Sequence, residues 1–145
     1  MRIAAAVIAA ALALPACSSA DPARPLQMEV GKSFSLKAGA TAQAVDPALL
    51  IGLEAVTADS RCPKGERCIV AGDATVRIWL QQGSGPRQTR ELHVAGAAQA
   101  VRVQDHELRL LRLEPYPVTG RPIAPADYIA TFTLNRGGSG TDAER

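Results

Sequence analysis

Residues 74–94 read ATVRIWLQQGSGPRQTRELHV, and their reading decides the fold. Ala74, Val76, Ile78 and Leu80 alternate with Thr75, Arg77 and Trp79. A period of two puts one set of side chains on a buried face and the other on a wet face, as in antiparallel sheets. The segment QGSGP at 82–86 supplies turn residues, and 87–94 returns the chain beside the first run. The pair is expected to form a β-hairpin.

The same alternation recurs on both sides. Residues 33–37 (SFSLK) place Phe34 and Leu36 on one face, 41–45 form a weaker run, and 49–56 (LLIGLEAV) align Ile51, Leu53 and Ala55. Later come 107–113 (ELRLLRL) and 128–134 (YIATFTL), the last aligning Tyr128, Ala130, Phe132 and Leu134. Residues 97–113 contain many good helix formers. However, Val101-Arg102-Val103 alternates and Asp105-His106 interrupts the run, which predicts two strands there. Six to eight short strands separated by turns predict an all-β fold, a single antiparallel β-sandwich spanning 27–135. An immunoglobulin-like architecture is one arrangement that fits. The Cys…Trp…Cys pattern that pins the sheets of antibody domains is absent, because Trp79 follows both Cys62 and Cys68.

Ahead of the domain stands MRIAAAVIAAALALPACSSADPARP. Arg2 precedes an apolar run from Ile3 to Leu14. As a helix this run would be roughly 18 Å long, too short for a hydrocarbon core of about 30 Å, and it reads as a secretory signal. Leu14-Pro15-Ala16-Cys17 resembles the bacterial lipobox. That resemblance implies cleavage after residue 16, a diacylglyceryl group on the Cys17 thiol and acylation of its new amine. Two or more acyl chains anchor a protein stably. Ser18 in place of Asp resembles the signal for outer-membrane retention. The expected organisation is a signal peptide at 1–16, a lipidated terminus and flexible tether at 17–26, the sandwich, and a disordered Gly-rich tail at 136–145.

Without residues 1–16, Lys and Arg nearly balance Asp and Glu. Such a domain has no broad field for nucleic acid, and that partner class is excluded. The aromatic residues Phe34, Trp79, Tyr116, Tyr128 and Phe132 are too few for a stacking platform.

With Cys17 committed to lipid, Cys62 and Cys68 remain as an even pair in an oxidising compartment. They bound the ring CPKGERC, in which Pro63 and Gly65 supply turn geometry. The favoured reading is a structural disulfide. A redox centre would want a closer pair such as C-x-x-C. Zinc would want further ligands, and His93 and His106 lack metal-type spacing. Arg61, Lys64 and Arg67 cluster with Asp59 and Glu66 around this ring and form a candidate recognition loop; the alternative is a set of solvated charges around a staple.

Residues 59–74, DSRCPKGERCIVAGDA, resemble the D-S-R-C-P-x-G-x-x-C-x-W-x-G-x-A segment of a family of small bacterial envelope lipoproteins without assigned activity. Leu113-Glu114-Pro115-Tyr116-Pro117 and Asp127-Tyr128 resemble later segments of the same family, although Val70 stands where that family commonly has Trp. The resemblance implies a β-rich domain with this disulfide and supplies no catalytic residues.

Catalytic signatures are missing. Ser60, Asp59 and His106 provide the letters of a triad without any local motif, and there is no phosphate loop, H-E-x-x-H or Gly-x-Ser-x-Gly elbow. No metal and no cofactor is expected. The sequence therefore points to a non-enzymatic binding module, anchored in the membrane through its N-terminal lipid and contacting an envelope protein or peptidoglycan. A structural or assembly accessory of an envelope complex and an inhibitor of a periplasmic hydrolase are the alternatives.

Overall fold

The computed structural model describes residues 23–96 and 99–137. Among these described residues nine strands form two sheets: β1 (Leu26–Gln27), β2 (Ser33–Lys37), β3 (Thr41–Ala44), β4 (Leu49–Asp59), β5 (Ala74–Gln82), β6 (Arg87–His93), β7 (Ala100–Val103), β8 (His106–Glu114) and β9 (Ile129–Arg136). One sheet has the order β1-β3-β4-β5-β6 and the other β2-β9-β8-β7. The fold is the expected all-β sandwich. Cys17 lies outside the described residues, as does the tail beyond Gly137.

Alternating side chains build the core. Ile51, Leu53, Val76, Ile78 and Leu92 from the first sheet meet Leu36, Leu108, Phe132 and Leu134 from the second, all essentially inaccessible. Phe34 and Phe132 stack with ring centroids 5.8 Å apart. Burying each such side chain contributes about 1.5–3 kcal/mol. On the outer face, Gly52 lies opposite Trp79 in the β4–β5 register. A Cβ there would stand 2.1 Å from the indole, so the missing side chain makes the room the ring occupies. The Arg87 guanidinium lies over that indole, 3.9 Å from its centroid.

Two bulges revise the expected alternation. After Leu53 the β4 register shifts, so Val56 rather than Ala55 faces Val76 and packs on the core. In β8 the shift between Leu110 and Arg112 turns Leu111 outward and Leu113 inward. A bulge adds a residue and reverses the faces that follow, which strict periodicity does not anticipate.

The domain edges differ too. Leu26, assigned to the tether, belongs to β1, which pairs with β3 in parallel; the sandwich is thus not wholly antiparallel. Arg136, assigned to the tail, ends β9 opposite His106. A two-residue strand has too few side chains to show a period.

The topology orients the chain. β3 runs antiparallel to β4, so β1 also runs against β4. The segment preceding Leu26 therefore comes from the end at which β4 finishes. At that end lie the 60–73 loop between β4 and β5 and the 115–128 loop between β8 and β9. The turn between β3 and β4 and the β5–β6 hairpin lie at the opposite end.

Candidate functional site

β4 delivers Asp59 to the end of the sandwich, and the chain leaves the sheet immediately after it. Cys62 and Cys68 are joined by a disulfide with 5.9 Å between their Cα atoms. Within the ring the Glu66 amide donates to the Pro63 carbonyl at 3.2 Å. Gly65 takes the left-handed φ of 97° that this turn needs. Gly72 closes the loop at φ 70°, where a Cβ would fall 1.8 Å from the Ser60 carbonyl oxygen.

Arg61 separates from the other two cations of the expected recognition loop. It is only 7% exposed. Its Nε and Nη2 donate to the two carboxylate oxygens of Asp59 at 2.8 and 2.7 Å. Its Nη1 donates to the Leu113 carbonyl at 2.8 Å, and Nη2 also reaches the Pro115 carbonyl at 3.1 Å. The Tyr128 hydroxyl donates to Asp59 Oδ2 at 3.0 Å. The group joins the end of β4 to both ends of the 115–128 loop, and so ties one sheet to the other. Arg61 is neither a solvated charge nor a free recognition side chain; its donors are consumed inside the fold.

Burial pushes the Asp59 carboxyl up, but the hydrogen bonds from Arg61 and Tyr128, with the Arg61 charge, outweigh burial and hold it below the ordinary carboxylate range. The hydrogen bond to Asp59 raises Arg61 against its desolvation. Burial, then the bond to Asp59, raises Tyr128. At neutral pH this cluster is a carboxylate, a guanidinium and a neutral phenol.

Lys64 and Arg67 are exposed. The backbone beside Lys64 is nevertheless fixed: its amide donates to the Pro117 carbonyl at 3.0 Å, and its carbonyl accepts from the Thr119 amide at 3.2 Å. The Thr119 hydroxyl lies 3.2 Å from both the Lys64 carbonyl and Glu66 Oε1. Tyr116 is exposed at the rim, with the Arg61 and Lys64 cations 5.2 and 5.7 Å from its ring centroid. An open cleft of about 440 Å³ lies between ring and loop, lined by residues including Pro63, Glu66, Pro117, Thr119, Arg121 and Ile123.

Beyond the second cysteine, Ile69 is 104% and Val70 74% exposed. No charge or period marks these residues; the signal available was two β-branched apolar side chains in a loop otherwise rich in Gly and charge.

The letters of the triad are not assembled. Asp59 serves Arg61, the Ser60 hydroxyl donates to the Asp73 carbonyl at 3.0 Å, and His106 begins β8 at the opposite end of the sandwich. His93 Nδ1 lies 2.6 Å from Asp73 Oδ2. Burial raises the Asp73 carboxyl, but the bonds from the Ala95 amide and His93 together outweigh it and leave it below its ordinary value. Among the described residues no three His, Cys, Asp or Glu side chains gather as a metal site, and no helix is long and apolar enough to cross a membrane.

Comparison with protein-family models, with curated proteins and with solved structures found no match to this chain.

Proposed function

We propose that this chain is a lipid-anchored protein of the bacterial cell envelope, held through Cys17 at the outer membrane and facing the periplasm, and that its domain is a non-enzymatic binding module. The signal-like segment and Leu14-Pro15-Ala16-Cys17 support the anchoring. The observation that carries the binding role is the exposed Ile69 and Val70 beside a covalently closed ring. Apolar side chains left in water on a fixed loop mark an interaction surface, and a preorganised loop loses little entropy when it binds.

Two measurements test this reading. Cells supplied with labelled palmitate should label the wild type and not Cys17→Ser; labelling of both would overturn the anchor. The domain from Ser18 to Arg145 retains every strand and should sediment with washed envelopes. Ile69→Asp/Val70→Asp, with its circular dichroism unchanged, should release it. Equal sedimentation of the two would remove the loop from the binding role.

A further inference from the structure

We propose that the occupant of the Ile69–Val70 surface is the phospholipid bilayer itself: the tip of the disulfide loop makes a second membrane contact beside the N-terminal anchor. The inference deepens the function proposed above and takes its orientation from the Cys17 anchor. Leu26 is paired level with Ala42 and hence with Ile51. From Ile51 to the end of β4 at Asp59 is about 26 Å at 3.3 Å per residue, shortened by the bulges. The chain from Cys17 to Leu26 spans at most about 30 Å. It meets β1 from the end where β4 finishes and the disulfide loop begins. A domain standing with that end toward the bilayer uses most of the tether, which brings the loop against the headgroups and leaves little room for a protein between them.

The chemistry of that end suits an anionic lipid surface. Lys37, Lys64, Arg67 and Arg121 are exposed there, against Glu66, Glu114 and Asp127. Each cation near such a surface favours binding, while Ile69 and Val70 carry the apolar area that enters the boundary between headgroups and acyl chains. Val45 is also 82% exposed, but it lies in the turn at the opposite end and serves as the control.

The Ser18–Arg145 domain is floated with protein-free vesicles of phosphatidylethanolamine containing one-third phosphatidylglycerol, or of phosphatidylcholine alone. It should partition onto the anionic vesicles, more weakly as salt rises, and much less onto the neutral ones. Ile69→Asp/Val70→Asp should lower the partition coefficient about tenfold or more, Lys64→Gln/Arg67→Gln severalfold, and Val45→Asp not at all. No partition, or partition indifferent to the tip substitutions, overturns the proposal. If the tip substitutions release the domain from washed envelopes while vesicles bind neither form, the partner is a protein: the binding module stands and the lipid contact falls. If Cys17 takes no label but vesicles still bind through the tip, the anchor falls and the lipid contact stands.

Discussion

Replacing Arg61 by Ala should destabilise the domain more than any other substitution of a charged residue around the ring. The guanidinium makes a two-point contact with Asp59, whose side chain is 10% exposed, and satisfies the Leu113 and Pro115 carbonyls. Removal leaves a carboxylate with, among the described residues, only Tyr128 as a side-chain donor, in a site largely closed to solvent. Breaking a buried pair from one side costs about 3–5 kcal/mol, whereas an exposed pair is worth about 0–1 kcal/mol. For a domain of this size the loss corresponds to a melting temperature lowered by roughly 10–20 °C. Arg61→Lys keeps the charge without the fork and should cost less, about 1–3 kcal/mol. Urea unfolding of the Ser18–Arg145 domain, disulfide intact, measures both. Asp59→Asn/Arg61→Ala should fall short of the summed single losses by about 1–3 kcal/mol, the coupling expected of contacting partners. A loss below about 1 kcal/mol for Arg61→Ala would refute the account, because it would make the pair equivalent to one in water.

Three further outcomes follow from the same geometry. Asp59 and Asp73 are held below their ordinary values in the folded chain. Their contribution is complete above the unfolded value of about 3.9 and is lost as pH falls through the lowered folded values. Stability should therefore hold between about pH 7 and 5 and decline below about 4, and Asp59→Asn should flatten the decline; an undiminished acid limb would exclude Asp59 as its source. Native protein should show no thiol reactive to alkylation at Cys62 or Cys68, and reduction should lower stability by about 2–2.5 kcal/mol for so small a ring. Labelling of either cysteine without reductant would contradict the disulfide. Gly52→Ala should cost about 1–3 kcal/mol and red-shift Trp79 emission, since the added methyl displaces the indole from its place over the backbone; an unshifted spectrum would show that the ring was never seated there.

Strand positions were legible because the core needs only alternation. Val76, Ile78, Phe132 and Leu134 are where the period puts them. The bulges after Leu53 and Leu110 were not legible, since each depends on pairing with a neighbouring strand that the local pattern does not contain. β1 was hidden for a related reason: its pairing with β3 is a property of the assembled edge. The disulfide was readable from the count of cysteines once Cys17 was set aside. The fate of Arg61 was not, because its carbonyl acceptors at Leu113 and Pro115 stand more than fifty positions away in the chain.

This distance changes how the loop must be tested. Arg61, Lys64 and Arg67 look alike in sequence, and replacing all three together would seem a fair probe of recognition. In the folded domain, however, Arg61 and Asp59 fasten the base of the ring to the second sheet, while the Lys64 backbone and Thr119 fasten its side to the 115–128 loop. A triple substitution would loosen the scaffold and remove surface charge in one step, and lost binding would then have two causes. The side chains of Lys64 and Arg67 reach solvent, and none of the bonds that fix the ring uses them. Lys64→Gln/Arg67→Gln should therefore leave the unfolding free energy in urea unchanged within about 0.5 kcal/mol while weakening attachment to the envelope. If that pair proves as destabilising as Arg61→Ala, the division between a buried tie and an exposed collar is mistaken. If it weakens attachment at unchanged stability, recognition belongs to the exposed rim, and Arg61 acts on it only by holding the ring in place.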